Sequence, residues 1–189
     1  MSDSSKDTIL FAGIDLSLTG TGVVLLDEKG ELKHQKLIKS KKDGDRPIDE
    51  LLRLERIRDE VEKEIMSSGW EPKIVCVEGL AFMARNTTAL VQLAALNYLI
   101  RGMLYSLAID FVIVAPTTLK KFVTGKGNAD KNIVLMEIYK RYDQTFTDDN
   151  LGDAYGLAQI ALSIHDGEFA TTQEQKAVLK TLEHQYAKE

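Results

Sequence analysis

A mixed five-stranded sheet flanked by helices, an α/β architecture, is predicted by three features of this 189-residue sequence. Three strand-like runs come first and lie close together, as an antiparallel meander requires. Two further strands each follow a helix-length segment, as parallel crossovers require. The last third is helical by periodicity.

Ile9 to Leu16 and Gly22 to Leu26 are short apolar and β-branched runs, and Leu32 to Ile38 follows Glu28-Lys29-Gly30, where glycine suits a tight reversal. After Pro47, residues Leu51, Leu54, Ile57, Val61 and Ile65 recur at three- and four-residue spacing, which predicts an amphipathic helix ending before Gly69. Lys73 to Glu78 is a compact strand that stops at an acid. Thr87 to Leu107 is apolar nearly all round and reads as a buried helix, and Phe111 to Ala115 is the fifth strand.

Pro116 ends that strand, and Thr117 or Thr118 can cap a short helix running through Phe122. Gly125-Lys126-Gly127-Asn128 is a turn before a helix over Ala129 to Tyr142. The next helix starts near Asn150 and presents Ala154, Leu157, Ala161 and Ile164 inward. The last opens with a capping-box pattern at Thr171 and Glu174 and carries Val178, Leu182 and Tyr186 on one side. Residues 1–7 are read as a flexible N-terminus, 8–168 as one domain and 169–189 as a C-terminal helix; no internal repeat is present.

With 44% apolar residues and three prolines, the chain has material for one sizeable core and little for a second domain. Its single cysteine, Cys76, lies in the run Ile74-Val75-Cys76-Val77, which excludes a disulfide framework or zinc cluster and points to a buried, inert thiol in a reducing compartment. Met1 to Lys6 lacks the apolar core of a signal peptide, and no apolar stretch is long enough to cross a bilayer, so a soluble cytoplasmic protein is expected.

The net charge of −5 argues against a nucleic-acid partner only if charge is evenly spread. It is not. Lys120, Lys121, Lys126, Lys131, Lys140 and Arg141 fall in one segment against only Asp130 and Glu137, and Lys36, Lys39, Lys41 and Lys42 form a second basic group.

Asp15 ends the first strand inside Gly13-Ile14-Asp15-Leu16-Ser17, and Glu78 ends the fourth. A carboxylate emerging from a buried run is costly unless paired or bound to a cation, so two of them suggest one hard-cation site. A third acid lies in Asp148-Asp149-Asn150-Leu151-Gly152-Asp153. Asp148 reads as a helix cap, whereas Asp153 sits a turn inside the helix, with Asp149 four and Asn150 three residues earlier on one face.

Taken in order, these parts resemble the RuvC-type Holliday-junction resolvases, a branch of the RNase H-like nuclease superfamily that includes phage and viral members. The matching parts are the Gly-Ile-Asp-x-Ser strand with its following Thr-Gly, the strand ending in Glu78, Phe82-Met83-Ala84-Arg85-Asn86, Pro116 with Lys120, Gly125-x-Gly-x-Ala-Asp-Lys131, and Asp153-Ala154 opening an apolar helix. The resemblance covers Ala12 to His165. It implies an RNase H-like fold and a homodimer that nicks four-way and branched DNA to leave 5′-phosphates. It also implies two Mg²⁺ ions, replaceable by Mn²⁺, at Asp15, Glu78 and Asp153, with Lys131 supporting the scissile phosphate. Phe82 would stack on bases, while Arg85, Lys120, Lys121 and Lys126 would contact phosphates. Met83 is expected to pack within its loop. Recombination or replication proteins are the further partners to expect, in a bacterial cytoplasm or, for a viral member, that of the host.

At one position the sequence departs from that pattern. Three residues before Asp153, where an acid or histidine is usual, stands Asn150, itself a legitimate neutral oxygen ligand, and Asp149 is the neighbour able to substitute for it. Two other readings follow: a catalytically silent protein that binds DNA structures, and an RNase H-like nuclease without junction preference. The chain is too short for the two domains of a sugar-kinase-like ATPase. The helix Thr87 to Leu107 is either the dimer surface or intradomain core. The terminal helix and the Glu28 to Lys42 hairpin carry no family signal.

Overall fold

The computed structural model describes residues 8–69, 71–80 and 87–186. Strands β1 (Leu10–Asp15), β2 (Gly20–Asp27) and β3 (Leu32–Lys39) form the antiparallel meander. Helix α1 (Pro47–Ile65) leads to β4 (Pro72–Glu78), and α2 (Thr87–Ser106) leads to β5 (Asp110–Val114), both strands parallel to β1. The order across the sheet is β3-β2-β1-β4-β5, so the predicted mixed sheet is the one observed.

Strand alternation sends Ala12, Ile14, Val75 and Val77 to one face, against α1 and α2, and Phe11, Ile74 and Cys76 to the other. That second face is covered by α3 (Pro116–Thr124), α4 (Lys131–Tyr142), α5 (Asp149–His165) and α6 (Gln173–Tyr186). Full burial pushes the Cys76 thiol far above its ordinary pKa, as expected of an inert cysteine.

Helix α5 lies directly on strand backbone. A Cβ on Gly13 would fall 2.0 Å from the Ala154 carbonyl oxygen and 2.4 Å from the Ala158 nitrogen, and one on Gly22 would fall 2.2 Å from the Asn150 carbonyl oxygen. Two glycines on adjacent strands thus make the seat for the start of α5. At the far edge, α6 shields β5: the Gln185 side chain accepts from the Ile113 N–H at 2.9 Å and donates to its carbonyl at 3.0 Å, standing in for a sixth strand.

Several expectations need correction. Helix α2 is not buried all round: Val91, Tyr98 and Tyr105 are 66%, 67% and 81% exposed. In α1, Leu51 faces solvent while Arg53 is buried, its guanidinium donating to Ser40 Oγ at 3.1 Å and to the Leu18 carbonyl. Ala115 is the N-cap of α3, so Thr117 and Thr118 lie inside the helix, where Pro116 at the first position supplies the pre-set φ. Helix α4 starts at Lys131 behind Asp130 rather than at Ala129. The capping box of α6 is Thr172 with Gln175, not Thr171 with Glu174: the Gln175 N–H donates to Thr172 Oγ1 at 3.2 Å, and the Thr172 N–H to Gln175 Oε1 at 3.1 Å.

Because the Gly13 contact is with main-chain atoms that side-chain motion cannot relieve, Gly13→Ala should cost about 3 kcal/mol or more. Thermal denaturation should show a midpoint lowered by roughly 6–12 °C; an unchanged midpoint would contradict the seating of α5.

Candidate active site

Strands β1 and β4 are neighbours and run the same way, so their last residues, Asp15 and Glu78, emerge side by side. Alternation with Phe11 and Gly13, and with Ile74 and Cys76, turns both acids toward the α5 face. Asp15 pairs in register with Gly22, and Gly22 is where the backbone of Asn150 rests. The start of α5, with Asp153 one turn in, is therefore held over Asp15.

Burial, then the nearby Glu78 charge and a hydrogen bond to Glu78, hold the Asp15 carboxyl well above its ordinary pKa. Glu78 is also raised, by burial first and by the Asp153 charge, while its interaction with Asp15 works the other way. Asp153 is pushed up to about 7 by burial and by the Asp15 charge. Lys131 and Lys120 are the opposing positive charges. Lys131 is itself hydrogen-bonded to Asp149, which raises the ammonium and lowers the carboxyl pKa.

Among the described residues no group of three or more acid, histidine or cysteine side chains is arranged to hold a metal ion. What stands there is a buried Asp15 with the half-buried acids Glu78 and Asp153 close enough to shift its titration and one another's. Hard oxygen donors that burial and mutual repulsion drive toward protonation are nonetheless the donor set that suits a divalent cation, which supplies the missing positive charge. The residues fit a divalent metal by their chemistry.

Asp148 is the N-cap of α5, accepting the Asn150 N–H at 3.0 Å. Asp149 is engaged by Lys131, while the Asn150 side chain lies over Gly20, its Nδ2 3.3 Å from where a Gly20 Cβ would be. Lys121 and Lys126 are exposed on α3 and the turn after it, away from the charges that act on the acids. Lys140 and Arg141 are both bound to Glu137, so that end of the basic segment is partly offset. Phe82, Met83 and Arg85 lie outside the described residues.

Two residues with a bearing on the site escaped sequence reasoning. Asn97, buried in α2, donates through Nδ2 to the Glu78 carbonyl at 3.0 Å and so fixes the strand end that presents the acid. Arg53 holds the turn after Asp15 through Leu18. A polar residue in an apolar helix and a cation on a buried stripe were the available signals.

A family model described as crossover junction endodeoxyribonuclease RuvC matches residues 11–162. Among solved structures, the RuvC of Thermus thermophilus superposes with a TM-score of 0.65 at 22% identity, covering 84% of this chain and 97% of that one. The T. thermophilus RuvC in complex with a Holliday junction substrate gives 0.66 at 17% identity, covering 84% and 96%. The yeast mitochondrial Holliday junction resolvase Ydc2 gives 0.57 at 10% identity, covering 92% and 81%. No curated protein sequence matches the chain. These structures share the RNase H-like fold found here.

The raised acids set a pH window for stability. An acid whose folded pKa lies above its unfolded value near about 4 stabilises fully below that value, and the contribution is lost as pH rises through the folded value. For Asp153 that value is about 7. Metal-free protein should therefore show a melting midpoint that falls between pH 4 and 7. Asp153→Asn should flatten this fall and raise the midpoint at pH 7.5 by several degrees, and adding Mn²⁺ at pH 7.5 should stabilise wild type but not the variant.

Proposed function

This chain belongs to the RuvC family of crossover junction endodeoxyribonucleases, and on that premise we propose that it is a homodimeric, metal-dependent resolvase that nicks four-way and branched DNA. The observation that carries the proposal is the trio of Asp15, buried, with Glu78 and Asp153, half-buried, all with raised pKa values and flanked by Lys120 and Lys131. The T. thermophilus relative with a Holliday junction substrate supports branched DNA as the ligand class.

In this reading Asp15, Glu78 and Asp153 hold two Mg²⁺ ions, with Mn²⁺ as substitute, and Asn150 or Asp149 completes the set. The chemistry such ions supply when bound is polarisation of the scissile phosphate and activation of water. The chain's own groups do the rest. Lys131, an exposed cation beside the acids, offsets charge that develops on the phosphate, and Lys120 positions the backbone. The buried strand ends limit water around the acids, and the Asn97 bond keeps the β4 end in place. Hydrolysis leaves a 5′-phosphate and a ligatable nick. Phe82 is assigned to base stacking and Arg85 to phosphate contact on sequence grounds alone.

A dimer through α2 is supported by its outer face. Thr88, Val91, Ala95, Tyr98, Gly102 and Tyr105 are all exposed and recur at alternating spacings of three and four, the seam of two helices packed along their length. Three large apolar residues left facing solvent in one row fit a two-fold self-contact, which would set two active sites on a two-fold junction.

With Mg²⁺ or Mn²⁺, wild type should cleave four-way DNA in preference to flap and linear duplex. Asp15→Asn should lower cleavage on the order of 10²–10³-fold or more while retaining junction binding. Equal cleavage of all substrates would favour a nuclease without junction preference, and binding without cleavage a silent structure-binding protein. Tyr98→Glu should sediment as a monomer and lose paired nicking.

A further inference from the structure

We propose that Lys39, on the open edge of the sheet, is a further phosphate contact that holds the substrate strand on the β3 side of the active site. The inference rests on the nuclease reading above and adds a DNA-binding position outside the Lys120 to Lys131 segment.

The argument starts from register. Asp15 pairs with Gly22, Gly22 with Leu37 and Gly20 with Lys39. Paired residues point to the same face, and Gly20 and Gly22 both face α5, since their missing Cβ positions lie against Asn150 and Ala154. Lys39 therefore projects from the face that carries Asp15, whereas Lys36 projects from the other, where it lies 4.0 Å from Glu64 of α1. With strands about 4.8 Å apart and a rise of about 3.3 Å per residue, the Lys39 Cα lies roughly 12 Å from that of Asp15. That is the axial span of about three nucleotides of one strand.

Among the lysines of β3, charge pairing singles out the same residue. Lys33 is bound to Asp27 and Glu31 at 2.9 and 3.1 Å, Lys36 approaches Glu64, and Lys42 is bound to Asp45. Among the described residues Lys39 has no acidic partner, although it is an exposed cation on an acidic protein. The neighbour that could have captured it is Asn150. Its amide lies over Gly20, directly across from Lys39, and it is uncharged. Neutral Asn150 thus leaves the Lys39 ammonium without an acidic partner on the face that carries Asp15, with the Asn150 amide and Leu37 as the side chains over Gly20. A phosphodiester strand crossing Asp15 toward the β3 edge meets a cation of the complementary sign.

The test uses the full chain in an Asp15→Asn background, so that binding is read without cleavage. Affinity for a four-way junction is measured against salt concentration for the parent, Lys39→Ala, Lys39→Arg and Lys36→Ala, with melting midpoints and Mn²⁺ affinity measured in parallel. Lys39→Ala should bind several-fold more weakly at low salt and lower the slope of log affinity against log salt by about 0.9, the loss of one phosphate contact. Lys39→Arg should restore both, and Lys36→Ala should match the parent. A Lys39→Ala slope equal to that of the parent overturns the inference, as does a change confined to Mn²⁺ affinity. A parent that binds no DNA at any salt would instead overturn the nuclease reading.

Discussion

The close approach of α5 to the bare backbone of β1 and β2 is the constraint on which the rest of the structure depends. Without side chains at Gly13 and Gly22, the first turn of the helix descends until Asn150 and Ala154 touch strand main chain. That descent carries Asp153 to the ends of β1 and β4, where Asp15 and Glu78 emerge. The same contact lays Asn150 over Gly20, at the open edge of the sheet. One packing decision, made by two hydrogens in place of methyl groups, therefore fixes both the acid cluster and its border.

Its electrostatic consequence is unfavourable for the protein alone. Burial and neighbouring carboxylates hold all three acids above their ordinary pKa values, and Lys131, tied to Asp149, only partly offsets them. Proteins keep such arrangements at functional sites, where a ligand or ion resolves the strain. Family membership and the fold shared with the T. thermophilus and yeast resolvases give that strain a purpose. The framework around it is rigid: Asn97 pins the Glu78 carbonyl, Arg53 holds the turn after Asp15, and Gln185 closes the β5 edge.

Sequence disclosed what local chemistry dictates. An acid closing an apolar strand is visible as an anomaly, so Asp15 and Glu78 were legible, as was Asp148 as a cap. What it hid depended on tertiary placement. An apolar residue on an outer face looks the same as one in a core, so Val91, Tyr98 and Tyr105 read as buried. Thr171-Thr172-Gln173-Glu174-Gln175 contains two overlapping capping boxes, and only helix docking selects the second. The face to which Lys39 points follows from strand register, which no local pattern specifies. The engagement of Asp149 by Lys131 joins residues 18 apart and was equally out of reach.

The central claim is that Asp15, Glu78 and Asp153 form one divalent-metal site at the seat of α5. Anomalous diffraction from crystals soaked in Mn²⁺ above pH 7, past the Asp153 value of about 7, tests it most directly. The account predicts a manganese peak bounded by oxygens of all three carboxylates, absent in Asp153→Asn. Manganese bound elsewhere, or no peak among these residues in wild type, would contradict it.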